Sequence, residues 1–207
     1  MNSNKLSTEQ TILEAAEAEF LEKGYGNAKT VSIAKRAGVT HSMLHYYYRT
    51  KEKLFQMIFE RKVQTLAGIF EGISGQNLPF SDMLRCFVEC QFDFVAQNPK
   101  LPRFVLNEIA SKRENLELVV DIVSPKIAVI VSRLEKMLDE EIQKGTVRPI
   151  AIRDLIMNVV SINVATFVFM PVYKRLFPNI DETAEKAYLA ERRESNVQFI
   201  LNALRPA

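Results

Sequence analysis

The two histidines of this chain, His41 and His45, stand four residues apart. On a helix that spacing puts both imidazoles on one face. There they can share a metal ion or contact the same partner. No glutamate follows His41 as in a HExxH helix, and no third ligand is evident. Exposed, partner-contacting histidines are therefore the favoured reading, and no metal or other cofactor is expected. Cys86 and Cys90 repeat the spacing. A redox pair or metal clip is one reading, and packing as small hydrophobes is the plainer one. Two cysteines make neither a disulfide framework nor a four-cysteine zinc site, and a reducing cytoplasm suits them. No nucleophile–base pair and no glycine-rich phosphate loop stands out, which argues against an enzyme.

What remains is cationic chemistry. Lys29, Lys35, Arg36, Arg49, Lys51, Lys53, Arg61 and Lys62 share one window with only Glu52 and Glu60, although the whole 207-residue chain carries only +2. A segregated basic segment is the footprint of a nucleic-acid-binding element; a solvated helix face is the alternative. The start, MNSNKLSTEQ, is polar and does not read as a secretion leader. Hydrophobic residues make up 47% of the chain, enough for a packed core.

The elements that must position these groups read as helices almost throughout, so the expected fold is all-α. Ser7 with Gln10 forms a capping box for a first helix, whose stripe is Ile12, Ala15, Ala16 and Phe20 and whose end is Gly24. Thr30 suits the cap of a short second helix with Ile33, Ala34 and Ala37 inward. Gly38-Val39-Thr40 is a tight turn ending in a cap, followed by HSMLHYY with Leu44 inward. Thr50 can cap a long fourth helix carrying Leu54, Phe55, Ile58 and Phe59. Two short helices around a glycine turn make a helix-turn-helix, whose second helix can enter the DNA major groove. His41, Ser42, His45 and Tyr46 would face it, and Lys51 at a helix start suits a phosphate.

The stretch KTVSIAKRAGVTHSMLHYYYRTKEKLF resembles the DNA-binding domain of the TetR (tetracycline repressor-like) family, and the lead-in from Ile12 through Tyr25 fits as well. The resemblance implies phosphate contacts from Thr30, Thr40, Tyr47 and Lys51, and a groove face of His41, Ser42, His45 and Tyr46. His45 stands where the family usually has an aromatic residue, and Tyr48 where phenylalanine is usual. The implied architecture is a three-helix helix-turn-helix domain, residues 1–53, joined by a long helix to a helical ligand-binding and dimerisation domain, 54–207. It also implies a homodimer that acts on double-stranded DNA in the cytoplasm and answers to a small-molecule effector.

In the remainder, helices are expected from Asp82 to Gln97, from Pro102 to about Lys112, from Pro125 to near Gly145, on to about Phe177, and from about Glu182 to Leu204. The run Leu155–Tyr173 lacks charge for nearly the length of a membrane span. Its polar residues Asn158, Ser161, Asn163 and Thr166 instead favour a buried helix, and no membrane is expected. Phe87, Cys90, Phe94, Phe104, Glu108, Asn163 and Phe167 are candidates to line an effector cavity, with ordinary core as the alternative. Val160, Val164, Val168, Tyr188, Val197, Ile200 and Leu201 are the expected dimer face. A helical protein-interaction or membrane-associated module with a merely structural helix-turn-helix is the second functional class.

Overall fold

The computed structural model describes residues 7–74, 78–111, 113–178 and 181–206. Among them lie nine helices and no strand: α1 (Thr8–Asn27), α2 (Thr30–Ala37), α3 (His41–Tyr48), α4 (Lys51–Ser74), α5 (Phe80–Gln97), α6 (Leu101–Ser111), α7 (Arg113–Gln143), α8 (Ile152–Leu176) and α9 (Glu182–Ala203). Two compact units emerge. Of the described residues, the first comprises those up to Gln64 together with those of Arg103–Ser124, and the second those of Thr65–Pro102 together with those from Pro125 on. This division differs from a single cut after residue 53, because both α4 and α7 contribute to each unit. Pro125, expected to open a helix, lies inside α7. Proline has no N–H to give the helix ladder, and the division between units falls there.

In the first unit the signals at the start of α1 act as written. Ser7 and Gln10 form the reciprocal cap of α1. Ile12, Ala16, Phe20, Ile33, Leu44 and Leu54 are almost wholly buried together. Helices α1 and α2 are also tied by charge. Arg36 makes a two-pronged contact with Glu22, at 2.6 and 3.1 Å. The buried Glu19 pairs with Lys23 at 2.6 Å and lies 3.8 Å from Arg36. Thr30 does not cap α2. It is that helix's first residue, Lys29 takes the cap position, and no side chain caps there.

Gly24 takes φ +75°, a left-handed conformation glycine adopts freely, and kinks α1 near its end. The amide of Tyr25, just beyond, donates to Glu108 of α6 at 2.9 Å. Asn115 of α7 donates to the other oxygen of the same carboxylate at 3.1 Å. Phe104, one helical turn before Glu108, packs against Phe55 with ring centres 5.8 Å apart.

The second unit has its own core, in which Leu84, Val88, Leu138, Val159, Val197 and Ile200 are nearly inaccessible. Within it lies a polar chain. Asn196 of α9 donates to Asn163 of α8 at 2.8 Å, and Asn163 donates to the Val88 carbonyl and to Gln91 of α5, at 2.9 and 2.6 Å. Three helices are thereby held in register, because a slip would leave a buried amide without partners. Outside it, Arg193 bonds Asp93 through two nitrogens and Arg85 bonds Glu194 likewise, clamping α9 to α5.

Val197 and Ile200, expected on a dimer face, are 0% and 2% exposed. They are spent on this unit's own core and cannot form that face. Tyr188 and Leu201 are half-buried, with Tyr188 stacked on Tyr173 at 4.5 Å. What α8 and α9 leave open is an apolar set that keeps the expected Val160 and adds Met157, Phe169 and Val172 on α8 and Phe199 on α9. Val164 and Val168 lie half-buried along the same α8 stripe.

Candidate nucleic-acid interface

Gly38 takes φ +68° to turn the chain out of α2, and Thr40 accepts the Met43 amide at 3.2 Å to start α3. Leu44 and Tyr48 face inward and anchor α3. The hydroxyl of Tyr48 has a use that phenylalanine could not serve: it donates to the Glu9 carbonyl at 3.2 Å. Burial first, then the nearby Glu9, pushes this phenol well above its ordinary range, so it remains a donor. With those two positions fixed inward, His41, Ser42, His45 and Tyr46 share one outward arc of α3, all exposed. Tyr46 is 81% exposed, the most of any large apolar side chain described. Tyr47 is 41% exposed and meets the Tyr46 ring edge-on at 5.3 Å. Exposed Thr40 and part-buried Thr30 complete the set.

The two histidines interact. Nε2 of His45 lies 3.2 Å from Nε2 of His41, which lies 3.0 Å from Oγ1 of Thr30. The other nitrogen of His45, Nδ1, is 2.8 Å from the Arg49 carbonyl. Arg49 takes φ +49°, the one non-glycine residue with positive φ among those described. The Thr50 amide bonds back to the Tyr48 carbonyl, giving a tight γ-turn. Such strain persists only where surroundings hold it. Here the holders are the His45 ring on one side and the cap of α4 on the other, where Thr50 Oγ1 accepts the Lys53 amide at 3.1 Å.

Lys51 departs from the expected phosphate contact. Its ammonium donates to the carbonyls of Tyr25, Ala28 and Gly26, at 2.8, 3.1 and 3.4 Å, and sits 4.5 Å from the centre of the Tyr25 ring. An ammonium has three donors, and all three are used at the end of α1. The physical reason is the kink: the carbonyls of a helix end carry partial negative charge and lack intrahelical partners. Alongside, the Tyr25 hydroxyl donates to Glu52 at 2.8 Å. That carboxyl is held below its ordinary range, first by its own backbone amide at the start of α4 and then by Tyr25.

Structure therefore thins the basic window. Arg36, Lys51 and Lys62 are committed to Glu22, to the α1 carbonyls and to Glu17. Lys29, Lys35, Arg49 and Lys53 are exposed and outside the ion pairs described. The roles of Tyr25, Glu52 and Glu108 in holding the interface had no sequence signal, because each depends on a partner far along the chain.

The seven candidate effector residues divide between the two units. Phe104 and Glu108 serve the first unit, as described above. In the second unit Phe94 and Phe167 are packed in a small cluster with Phe92, Asn163 is fully bonded in the amide chain, and Cys90 is half-buried. Phe87 alone borders an apolar slot, between α4, α5 and α7, walled by Phe70, Ile73, Met83, Ile130, Leu134 and Met137 with Arg133 at its edge. It has about 20 Å3 of free space, about enough for one water. A groove of about 430 Å3 adjoins it, sharing Arg133 and Met137 and adding Lys136, Glu140, Glu141 and Lys144, the last paired with Glu141 at 2.7 Å.

Two family profiles match. The bacterial regulatory proteins of the tetR family match residues 12–58, and the tetracyclin repressor-like C-terminal domain matches residues 81–200. The chain is 24% identical over 137 residues to the fatty acid metabolism regulator protein of Bacillus subtilis, spanning 66% of this chain and 69% of that one. It is 31% identical over 102 residues to an HTH-type transcriptional repressor of Streptomyces coelicolor, spanning 49% of this chain and 50% of that one. Among solved structures, a tetR-family bacterial regulatory protein from Rhodococcus RHA1 shares the fold with a TM-score of 0.75, at 18% identity over 98% of this chain and 100% of that one. With both its helix-turn-helix and its C-terminal domain matched, the chain belongs to the TetR family of transcription regulators, which bind DNA and are not enzymes.

Proposed function

We propose that this regulator binds a palindromic operator in double-stranded DNA as a homodimer, with α3 in the major groove, and represses transcription until a mainly apolar small molecule releases it. The observation that carries the DNA reading is the outer arc of α3. Tyr46 stands 81% exposed beside His41, Ser42 and His45, with no acidic side chain in the helix itself. Exposing so large a ring to water gains nothing for a monomer in isolation, and base edges and thymine methyl groups suit it. Thr30, Thr40 and Tyr47 are the phosphate-side hydroxyls in this reading. Lys29, Lys35, Arg49 and Lys53 supply the salt-dependent attraction in place of Lys51. The Streptomyces relative's description as a repressor supports that sign of regulation. A cytoplasmic location fits action on DNA in this reading.

The dimer reading rests on Met157, Val160, Phe169, Val172 and Phe199, an open apolar set on α8 and α9 that needs cover. A twofold dimer covers it and doubles the DNA contact of one short helix. The same helix α8 is long and apolar enough to cross a membrane. Its Asn163 is nevertheless wholly buried and bonded to α5 and α9, which favours a core helix over a membrane span and disfavours a membrane-associated module.

For the effector, the slot beside Phe87 replaces the wider set of candidates. Its walls are apolar, and cations stand at its edge and in the adjoining groove. An acyl chain with an anionic headgroup fits that combination, and the Bacillus relative's link to fatty acid metabolism supports it. With about 20 Å3 free in this form, the slot must open to accept a chain. A ligand that binds the opened form more tightly shifts the population toward it. Helix α4 walls the slot and also belongs to the DNA-binding unit, so it is the element that would carry the change.

Replacing Tyr46 with alanine should lower affinity for the operator by about 1–3 kcal/mol while leaving non-specific DNA binding nearly unchanged. Electrophoretic shifts on the DNA flanking the protein's own gene, against a scrambled duplex, measure this; an operator preference untouched by the change would refute the groove assignment. Val160→Glu should convert the dimer to monomer or to insoluble protein in sedimentation, and a wild type that sediments as a monomer at micromolar concentration contradicts the dimer. For the effector, a long-chain acyl-CoA should raise the melting temperature of the wild type but not of Arg133→Glu. Operator DNA should weaken that ligand's binding by the same factor by which the ligand weakens operator binding. Equal ligand affinity with and without operator would exclude it as an inducer.

A further inference from the structure

We propose that His41 and His45 form a two-nitrogen chelating site for a late divalent transition-metal cation on the outer face of α3, and that the loaded site competes with operator DNA. The first support is distance. The two Nε2 atoms are 3.2 Å apart. With metal–nitrogen bonds of about 2.0–2.1 Å, two imidazole nitrogens on one tetrahedral or octahedral metal lie roughly 2.9–3.4 Å apart. Both rings are exposed, so the remaining positions are open to water. Oγ1 of Thr30, 3.0 Å from Nε2 of His41, lies at the same spot.

The second support is the tautomer of His45. A backbone carbonyl only accepts, so the contact between Nδ1 and the Arg49 carbonyl at 2.8 Å puts the ring proton on Nδ1. In the neutral ring Nε2 is then a bare lone pair, turned toward its partner histidine. Donation of the second ring N–H to a backbone carbonyl is how metal-binding histidines are commonly oriented. The carbonyl is itself held by the γ-turn at Arg49, so the ring is aimed before any ion arrives. Without metal, His41 satisfies this lone pair with the proton on its own Nε2. On metal binding that proton moves to Nδ1 of His41, each ring keeps one N–H, and both Nε2 lone pairs go to the cation. Imidazole donors in this number suit Cu(II), Ni(II) and Zn(II).

The consequence rests on the groove assignment above. A cation on both Nε2 atoms removes them as partners for base edges, so loaded protein should lose operator preference. Cys86 and Cys90 are the other soft pair in the chain, and burial, first among its causes, pushes the Cys90 thiol up, away from the thiolate that binds metal. The test therefore uses a Cys86→Ser/Cys90→Ser double variant of the full chain. Calorimetric titration with Ni(II), in the absence of DNA, should show one ion per chain. His41→Ala and His45→Phe should each weaken binding by about tenfold or more. Cu(II) in the same protein should give an electron paramagnetic resonance spectrum with two coupled nitrogens. Ni(II) binding unchanged in either histidine variant overturns the site. Operator titrations with and without Ni(II) then test the competition. Operator binding by the parent that weakens on adding Ni(II) and recovers when a chelator removes the ion supports it; equal affinity at saturating Ni(II) overturns it. The first titration contains no DNA, so a failed site and a failed groove assignment are told apart.

Discussion

The first unit hangs on one ammonium group. Lys51, the first residue of α4, donates to three carbonyls at the kinked end of α1. Hydrogen bonds to a charged group are worth about 1.5–3 kcal/mol each, and these join two helices that the sequence separates by α2 and α3. The tie sets where α4 begins. Thr50, the residue before, caps α4, and Arg49, before that, makes the strained turn out of α3. The orientation of the outer arc of α3 follows from those positions. Tyr25 gathers the tie: its carbonyl and ring face Lys51, its hydroxyl reaches Glu52 and its amide reaches Glu108. Gly24 makes this possible, because at φ +75° it releases the carbonyls that Lys51 takes and the amide that Glu108 takes.

Each unit thus sets its geometry by buried polar groups inside an apolar core. In the first these are Glu19 and Glu108, in the second Asn163, Asn196 and Gln91, all nearly inaccessible to solvent. Hydrophobic packing alone tolerates small slips between helices, whereas a buried amide or carboxylate that loses its partner costs about 1–3 kcal/mol. One atom of the second network, Oδ1 of Asn196, has no hydrogen-bond partner among the described residues. It lies where α9 meets α8, the two helices whose outer faces are apolar and open.

Local features were legible in the sequence, and distant ones were not. The caps at Ser7, Thr40 and Thr50 are three-residue signals, and all three bonds form. The helical stripe of Ile12, Ala16 and Phe20 is buried as its spacing requires. Thr30 misled because a hydroxyl before a helix can cap or point away, and here it lies against His41. Lys51 misled for a different reason: a basic residue at a helix start suits a phosphate, and only the kink at Gly24 brings competing carbonyls within reach. Val197 and Ile200 show the limit of amphipathic reading, since an apolar stripe does not say whether it faces its own core or a second copy. Glu108 is 83 residues from the amide it binds, and no local pattern announces such a pairing. Pro125 marked a real event, the division between units within α7, but not a helix start.

The most direct test of this account is the Lys51→Ala variant, compared with wild type in thermal melting and in operator affinity across a salt series. If the ammonium is a structural tie, the melting temperature falls and operator affinity drops, while the slope of log affinity against log salt stays at the wild-type value. If Lys51 instead neutralises a phosphate, the slope shrinks by about one unit for each phosphate left without its cation, and the melting temperature holds. That second outcome would contradict the tie on which the geometry of the first unit depends.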